Sequence, residues 1–121
     1  MKLLTKANLD ALMRNGRKTA EAVAAGQERP DHKPVVKFFN PTGAATWLIS
    51  EIDEDGDTMY GLCDLGMGTP EVGTVSLREL STVKVRMGLG IERDRWFTGK
   101  HPLSAYEAAA LSAGHIVEYL S

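Results

Sequence analysis

The stretch that most constrains the fold is "TWLISEIDEDGDTMYGLCDL", Thr46 to Leu65, in which two apolar runs flank an acidic turn around Asp55-Gly56. Runs rich in β-branched and aromatic residues on either side of an Asp-Gly predict an antiparallel hairpin, because these turn residues tolerate the backbone that a tight reversal needs. "VVKFF" from Val35 is a further strand, "TVSL" from Thr74 another, and "TVKVRM" from Thr82 alternates like an edge strand. Ser76 and Glu79 have capping-box spacing for a short helix through Leu80. Before the sheet, Thr5 is an N-cap for a helix carrying Leu9, Leu12 and Met13, with Gly16 as a stop or interruption and a second helical stretch running to Gly26. "QERPDHKP" is an exposed connector. After the sheet, "HPLSAYEAAALSAGHIVEYL" is helical, with Ser104 as N-cap and Gly114 as a break. The expected architecture is a single α+β domain: a helical region over 1–26, a mostly antiparallel sheet of four to five strands over 34–97, and a helical region over 103–120.

The length of 121 residues, 43% of them hydrophobic, suits one compact domain and is too short for two. Cys63 is the single cysteine and no Cys/His pair has zinc-finger spacing, so a structural zinc site is not expected. The start "MKLLTKANLDALMRNG" lacks the apolar core of a signal peptide, and no apolar run reaches the roughly 18 residues of a membrane span. A cytoplasmic protein away from membranes is the expectation. Charge is unevenly spread: Lys plus Arg against Asp plus Glu count 8 to 4 over residues 1–37, 1 to 8 over 38–82, and 5 to 4 over 83–121. The acidic middle argues against a protein that coats duplex DNA, since that affinity comes from neutralising phosphates. It leaves room for a local groove built from Arg14, Arg17, Lys18, Lys84, Arg86 and Arg93.

The densest acidic run, "SEIDEDGD", does not have calcium-loop spacing, because Gly56 is fourth from Asp53 where sixth is required, and Asp64 stands twelfth where Glu is required. Glu54, Asp55 and Asp57 are expected at the solvated hairpin tip. Glu51 lies inside the strand. With period two, Trp47, Ile49, Glu51 and Asp53 share one face and Leu48, Ser50 and Ile52 the other, so Glu51 needs a partner or a metal. In "GLGIERDRWF", Gly88 to Phe97, an extended chain would put Glu92, Asp94 and Trp96 on one side and Ile91, Arg93, Arg95 and Phe97 on the other. Two carboxylates at i and i+2, roughly 7 Å apart at the backbone, can converge on one divalent cation or one arginine. If that side meets Glu51, a metal is expected; if it meets Lys37 or Arg86, a salt bridge. His32, His101 and His115 share no ligand spacing, and Cys63 is expected as a small core residue. Trp47 and Trp96 are the candidate stacking surfaces for unpaired bases, with one exposed ring expected from each of the pairs Phe38-Phe39 and Trp96-Phe97.

The order "VVKFFNPTGAATWLISEIDEDGD", "YGLCDLGMGTPEVGTVSLREL" and "LGIERDRWF", with "MKLLT" before it and "HPLSAYEAA" after, resembles the bacterial domain-of-unknown-function family 2958. Lys37, Trp47, Glu51, Asp53, Pro70, Glu71, Glu92, Arg93 and Asp94 fall on positions that resemble its pattern. The resemblance implies a cytoplasmic protein connected with plasmids, phages and integrating elements, and some similar sequences are labelled single-stranded DNA endonucleases. Two functions follow as expectations. In the first, Glu51, Asp53, Glu71, Glu92 and Asp94 hold magnesium or manganese, with Lys37 or Arg93 on the scissile phosphate of single-stranded DNA, and with Trp96, Trp47, Arg14, Arg17, Lys18 and Arg86 along the strand. The usual carboxylate followed by Glu-x-Lys of such nucleases is missing from the sequence. In the second, a non-catalytic accessory or anti-defence protein docks a basic protein partner through its acidic middle.

Overall fold

The computed structural model describes residues 3–120; Met1 and Lys2, which fall in the expected helical region over 1–26 and in "MKLLT", and Ser121 lie outside the described residues. Helix α1 spans Lys6–Ala24, and Thr5 caps it: its hydroxyl accepts from the Asn8 amide at 3.1 Å while the Asn8 side chain accepts from the Thr5 amide at 3.0 Å. Strands β1 (Val36–Phe39), β2 (Thr46–Ile52), β3 (Thr58–Asp64) and β4 (Glu71–Ser76) follow, then helix α2 (Leu77–Thr82), the two-residue strand β5 (Glu92–Arg93) and helix α3 (Leu103–Ala113). All the pairings are antiparallel, in the order β4-β3-β2-β1-β5. The expected α+β domain, with one five-stranded sheet and helices at both ends, is what the chain forms.

The two faces of the sheet carry separate cores. Val36, Phe38, Trp47, Ile49, Ile52, Met59 and Leu80 pack with Leu12 of α1 on one side. On the other, Leu48 and Leu62 pack with Leu103, Tyr106 and Ala110 of α3, and Phe97 and Ile116 close the edge.

The β2–β3 ladder shifts register between Ile49 and Glu51, so Ser50 is a bulged residue. This overturns strict alternation along β2. Beyond the bulge Ile52 pairs with Met59 in the α1 core, while Glu51 pairs with Tyr60 and leaves that face. The energetics favour the slip. Burying Ile52 under α1 is worth about 1.5–3 kcal/mol, whereas regular alternation would put an unpaired carboxylate there at a cost of several kcal/mol. Helix α1 secures the irregular backbone, since the Asn15 side chain donates to the Ser50 carbonyl at 3.0 Å.

Gly16 does not interrupt the helix; α1 runs straight through it. A Cβ there would stand 2.2 Å from the Ile52 carbonyl oxygen, so the glycine is what lets α1 lie against β2 beside the bulge. "TVKVRM" is likewise not a strand of the sheet. Thr82 ends α2, and Lys84 forms a single bridge with Gly90 around a turn in which Met87 and Gly88 both have positive φ, 62° and 71°. The alternation closes on itself as a miniature hairpin. At the other end of the chain, α3 is capped at Pro102 rather than Ser104 and stops at Gly114 in the left-handed conformation, so residues 115–120 are not helical. Ser104 instead gives its amide and hydroxyl to the Asp31 carboxylate.

The acidic turn closes β2 onto β3 as expected, with Gly56 at φ 69°. Asp55 accepts the Asp57 and Thr58 amides at 2.8 Å each. Asp57 accepts from the Arg78 amide at 2.7 Å and the Ser76 hydroxyl, tying the hairpin to the start of α2. Those bonds, the Arg78 amide first and the Ser76 hydroxyl next, hold its carboxyl below the usual carboxylate range.

Two outcomes are expected. Gly16→Ala gains helix propensity of about 1 kcal/mol but meets the Ile52 carbonyl, so a net loss of about 1–3 kcal/mol should lower its denaturation midpoint. For Asp57, a folded pKa depressed below the unfolded value gives stability that is present above the unfolded value and lost as pH falls through the folded one. Asp57→Asn should therefore melt below wild type at pH 7, with the gap narrowing as pH drops below about 4.

Candidate functional site

The bulge delivers Glu51 to the α3 side of the sheet, where it lines a cleft of about 190 Å³ with Arg29, His32, Tyr60, Leu103 and Glu107. Its side chain is only 4% exposed, and Arg29 Nη2 donates to its Oε1 at 3.0 Å. The Arg29 guanidinium also lies over the Tyr60 ring, 3.6 Å from its centroid. Around them, His32 shares a hydrogen bond with the Thr19 hydroxyl, and the Ser50 hydroxyl donates to the Tyr60 carbonyl. Three carboxylates (Asp31, Glu51 and Glu107) against one guanidinium give these walls a formal charge of −2 with His32 neutral.

The "GLGIERDRWF" segment is sorted as period two requires only as far as Asp94. Ile91 enters the α1 core, and Arg93, opposite Phe38, donates to the Leu3 carbonyl at 2.8 Å. Glu92 and Asp94 take the other side, where Asp94 meets Lys37 at 3.6 Å. Lys37 is held more closely by Glu118 at 2.8 Å and lies 5.6 Å above the Phe39 ring centroid. The chain then turns: Asp94 accepts the Trp96 amide on its side chain and the Phe97 amide on its carbonyl. The turn breaks the expected grouping. Phe97 joins the α3 core instead of Ile91's side, and the Trp96 indole is left 88% exposed. Trp96, Phe39, Lys37, Arg93, Asp94 and Arg95 surround an open groove of about 300 Å³.

The five carboxylates expected to share a metal do not converge. The β1–β2 register places Glu51 level with Pro34, and Glu92 pairs with Phe39, five residues along β1 (39 − 34) and on its far side. The two backbones are therefore separated by roughly 17 Å along the strands and about 10 Å across them. Glu71 is on edge strand β4, four strand spacings or about 19 Å from β5. Asp53 is exposed at the hairpin turn, beside Arg17 in a different hollow. Among the described residues, no group of three or more His, Cys, Asp or Glu side chains is placed to hold a metal ion. Magnesium or manganese needs several converging oxygens, so these side chains do not fit it.

The remaining expected residues divide. Trp47 is 7% exposed inside the α1 core and offers no surface to a base, which corrects its assignment to a stacking site. Arg14, Arg17 and Lys18 form an exposed stripe at i, i+3 and i+4 on α1, and Arg86 is exposed in the miniature hairpin; none of the four lines the Trp96 groove. Burial pushes the Cys63 thiol up to about 11, with a smaller push from Glu71, so it stays protonated at neutral pH. Nothing in the local sequence marks Arg29, Glu107 or Glu118 as partners of these sites. A strand-interior glutamate does call for a cation, but Arg29 is 22 residues away in the connector and carries no local mark.

Among the described residues no helix is long and apolar enough to cross a membrane. Neither a curated protein nor a solved structure matches the chain. One family model does, described as "Protein of unknown function (DUF2958)", and it matches residues 3–117, so both the bulged strand and the Trp96 turn lie within the matched region. The chain belongs to that family.

Proposed function

We propose that the chain binds single-stranded DNA of mobile elements without cutting it, through the groove around Trp96. The observation that supports this reading most is the indole itself. A tryptophan 88% exposed, beside the half-buried Phe39 and next to the exposed Arg95, combines a stacking surface with a cation for the backbone, while Lys37 and Arg93 in the same groove are engaged by Asp94 and Glu118 and by the Leu3 carbonyl. Exposing so much apolar ring to water is costly unless something covers it.

Cleavage has less support, because the carboxylates it would need are spread over the sheet and Asp94 is engaged with Lys37. Docking of a basic partner on the acidic middle also has less support, because Asp55 and Asp57 spend their oxygens on the turn and on α2.

Labelled single-stranded and duplex oligonucleotides, titrated with magnesium, manganese or EDTA, test the proposal. Single strands should bind more tightly than duplex and remain uncut, and Trp96→Ala should weaken binding about tenfold or more, as expected for the loss of one stacked base. Arg95→Ala should flatten the salt dependence. Unchanged binding by Trp96→Ala would sink the proposal. Metal-dependent cutting that disappears in a folded Glu92→Ala, Asp94→Ala double variant would put the nuclease reading in its place.

A further inference from the structure

We infer that the Glu51 cleft is a binding site for a protonated amine or guanidine, and that Arg29 is its internal occupant. The inference is independent of the DNA reading.

Glu51 supplies the main argument. A carboxylate this deeply buried has about four acceptor positions to satisfy, and arginine usually satisfies a carboxylate through two parallel bonds. Arg29 makes one, to Oε1. Among the described residues Oε2 takes no hydrogen bond, and it is not sealed in the interior either, so it opens onto the cleft. A buried, charged acceptor is thereby presented to whatever enters.

The rest of the wall selects the kind of donor. With three carboxylates to one guanidinium, the cleft attracts cations, and its partial burial strengthens that attraction. Tyr60 offers a ring face to a cation, while Val72, Leu103 and Pro30 offer apolar contact to an alkyl stem. At about 190 Å³ the space suits a head group and a short stem, and is smaller than the roughly 300 Å³ at which pockets for larger ligands begin.

Arg29 already displays the chemistry. Its guanidinium sits on Tyr60 and bonds to Glu51 in the way an incoming cation would. It is also placed to leave: its side chain is 40% exposed, it belongs to the connector between α1 and β1, and among the described residues its backbone makes no hydrogen bond to other backbone groups. An occupant that must be displaced lowers the apparent affinity for the external one, so its removal should raise that affinity.

The test is an NMR titration of the full chain, following the amides of Ser50, Glu51, Ile52 and Tyr60, with sodium chloride at matched ionic strength as control. Agmatine represents a free small cation and the peptide Gly-Arg-Gly a partner's side chain. Saturable shifts are expected in wild type with at least one probe, at least tenfold tighter in Arg29→Ala, and absent in Glu51→Gln. If Glu51→Gln does not fold, Glu107→Gln replaces it, with an expected several-fold loss of affinity and an unchanged melting temperature. Saturation by agmatine alone assigns the cleft to a free cation, and by the peptide alone to a protein side chain. Equal affinity in wild type and the glutamate variants, no gain in Arg29→Ala, or saturation in Arg29→Ala but not in wild type overturns the inference. So does failure of both probes in both proteins.

Discussion

At Ser50 strand β2 carries one residue more than its partner, and that residue decides which side of the sheet every later side chain of the strand occupies. Ile52 is returned to the α1 core, and Glu51 is turned toward α3. The contact that holds the bulge is equally specific. Asn15 satisfies the displaced carbonyl, and the missing side chain of Gly16 allows the helix to lie directly on Ile52. Without that close approach the Ser50 carbonyl would lose its partner, and the Glu51 cleft would lose the backbone that shapes it.

The sheet thus separates two polar regions at different ends. At one, Arg29, Glu51 and Tyr60 form a compact acidic cleft beside the start of α3. At the other, Lys37 draws Asp94 and Glu118 together, fastening the residues after α3 to β1 and to the turn that exposes Trp96. Lys37 lies three residues along β1 (37 − 34) from the level of Glu51, roughly 10 Å along the strands, and its charge is taken by Asp94 and Glu118 rather than by the cleft.

Much of the fold was legible because its determinants are local. The Asp-Gly hairpin, the caps at Thr5 and Ser76, and the core alternation of β1 each depend on residues a few positions apart. The failures have a common physical character. Gly16 carries the usual mark of a helix break, yet its role is set by a carbonyl on another element. "TVKVRM" alternates correctly, but alternation does not say whether a strand joins the sheet or folds back on its neighbour. The candidate site was legible in part. Strand position alone marks Glu51 as a carboxylate in need of a partner and makes Lys37 a possible partner for Asp94, whereas Trp47, a candidate stacking ring by its residue type, is core.

By itself the sequence determined the class of fold, the hairpin at its centre, membership in a family and the need for Glu51 to find a cation, because each follows from composition, short-range geometry or matched motifs. Tertiary structure alone decided what met what. Period two puts Glu51 on the face of Trp47 and Ile49, and only the packing of α1 onto β2 moves it to the other. Arg29 reaches Glu51 across 22 positions and Glu118 reaches Lys37 across 81, distances at which no local preference operates and only the assembled sheet brings the charges together.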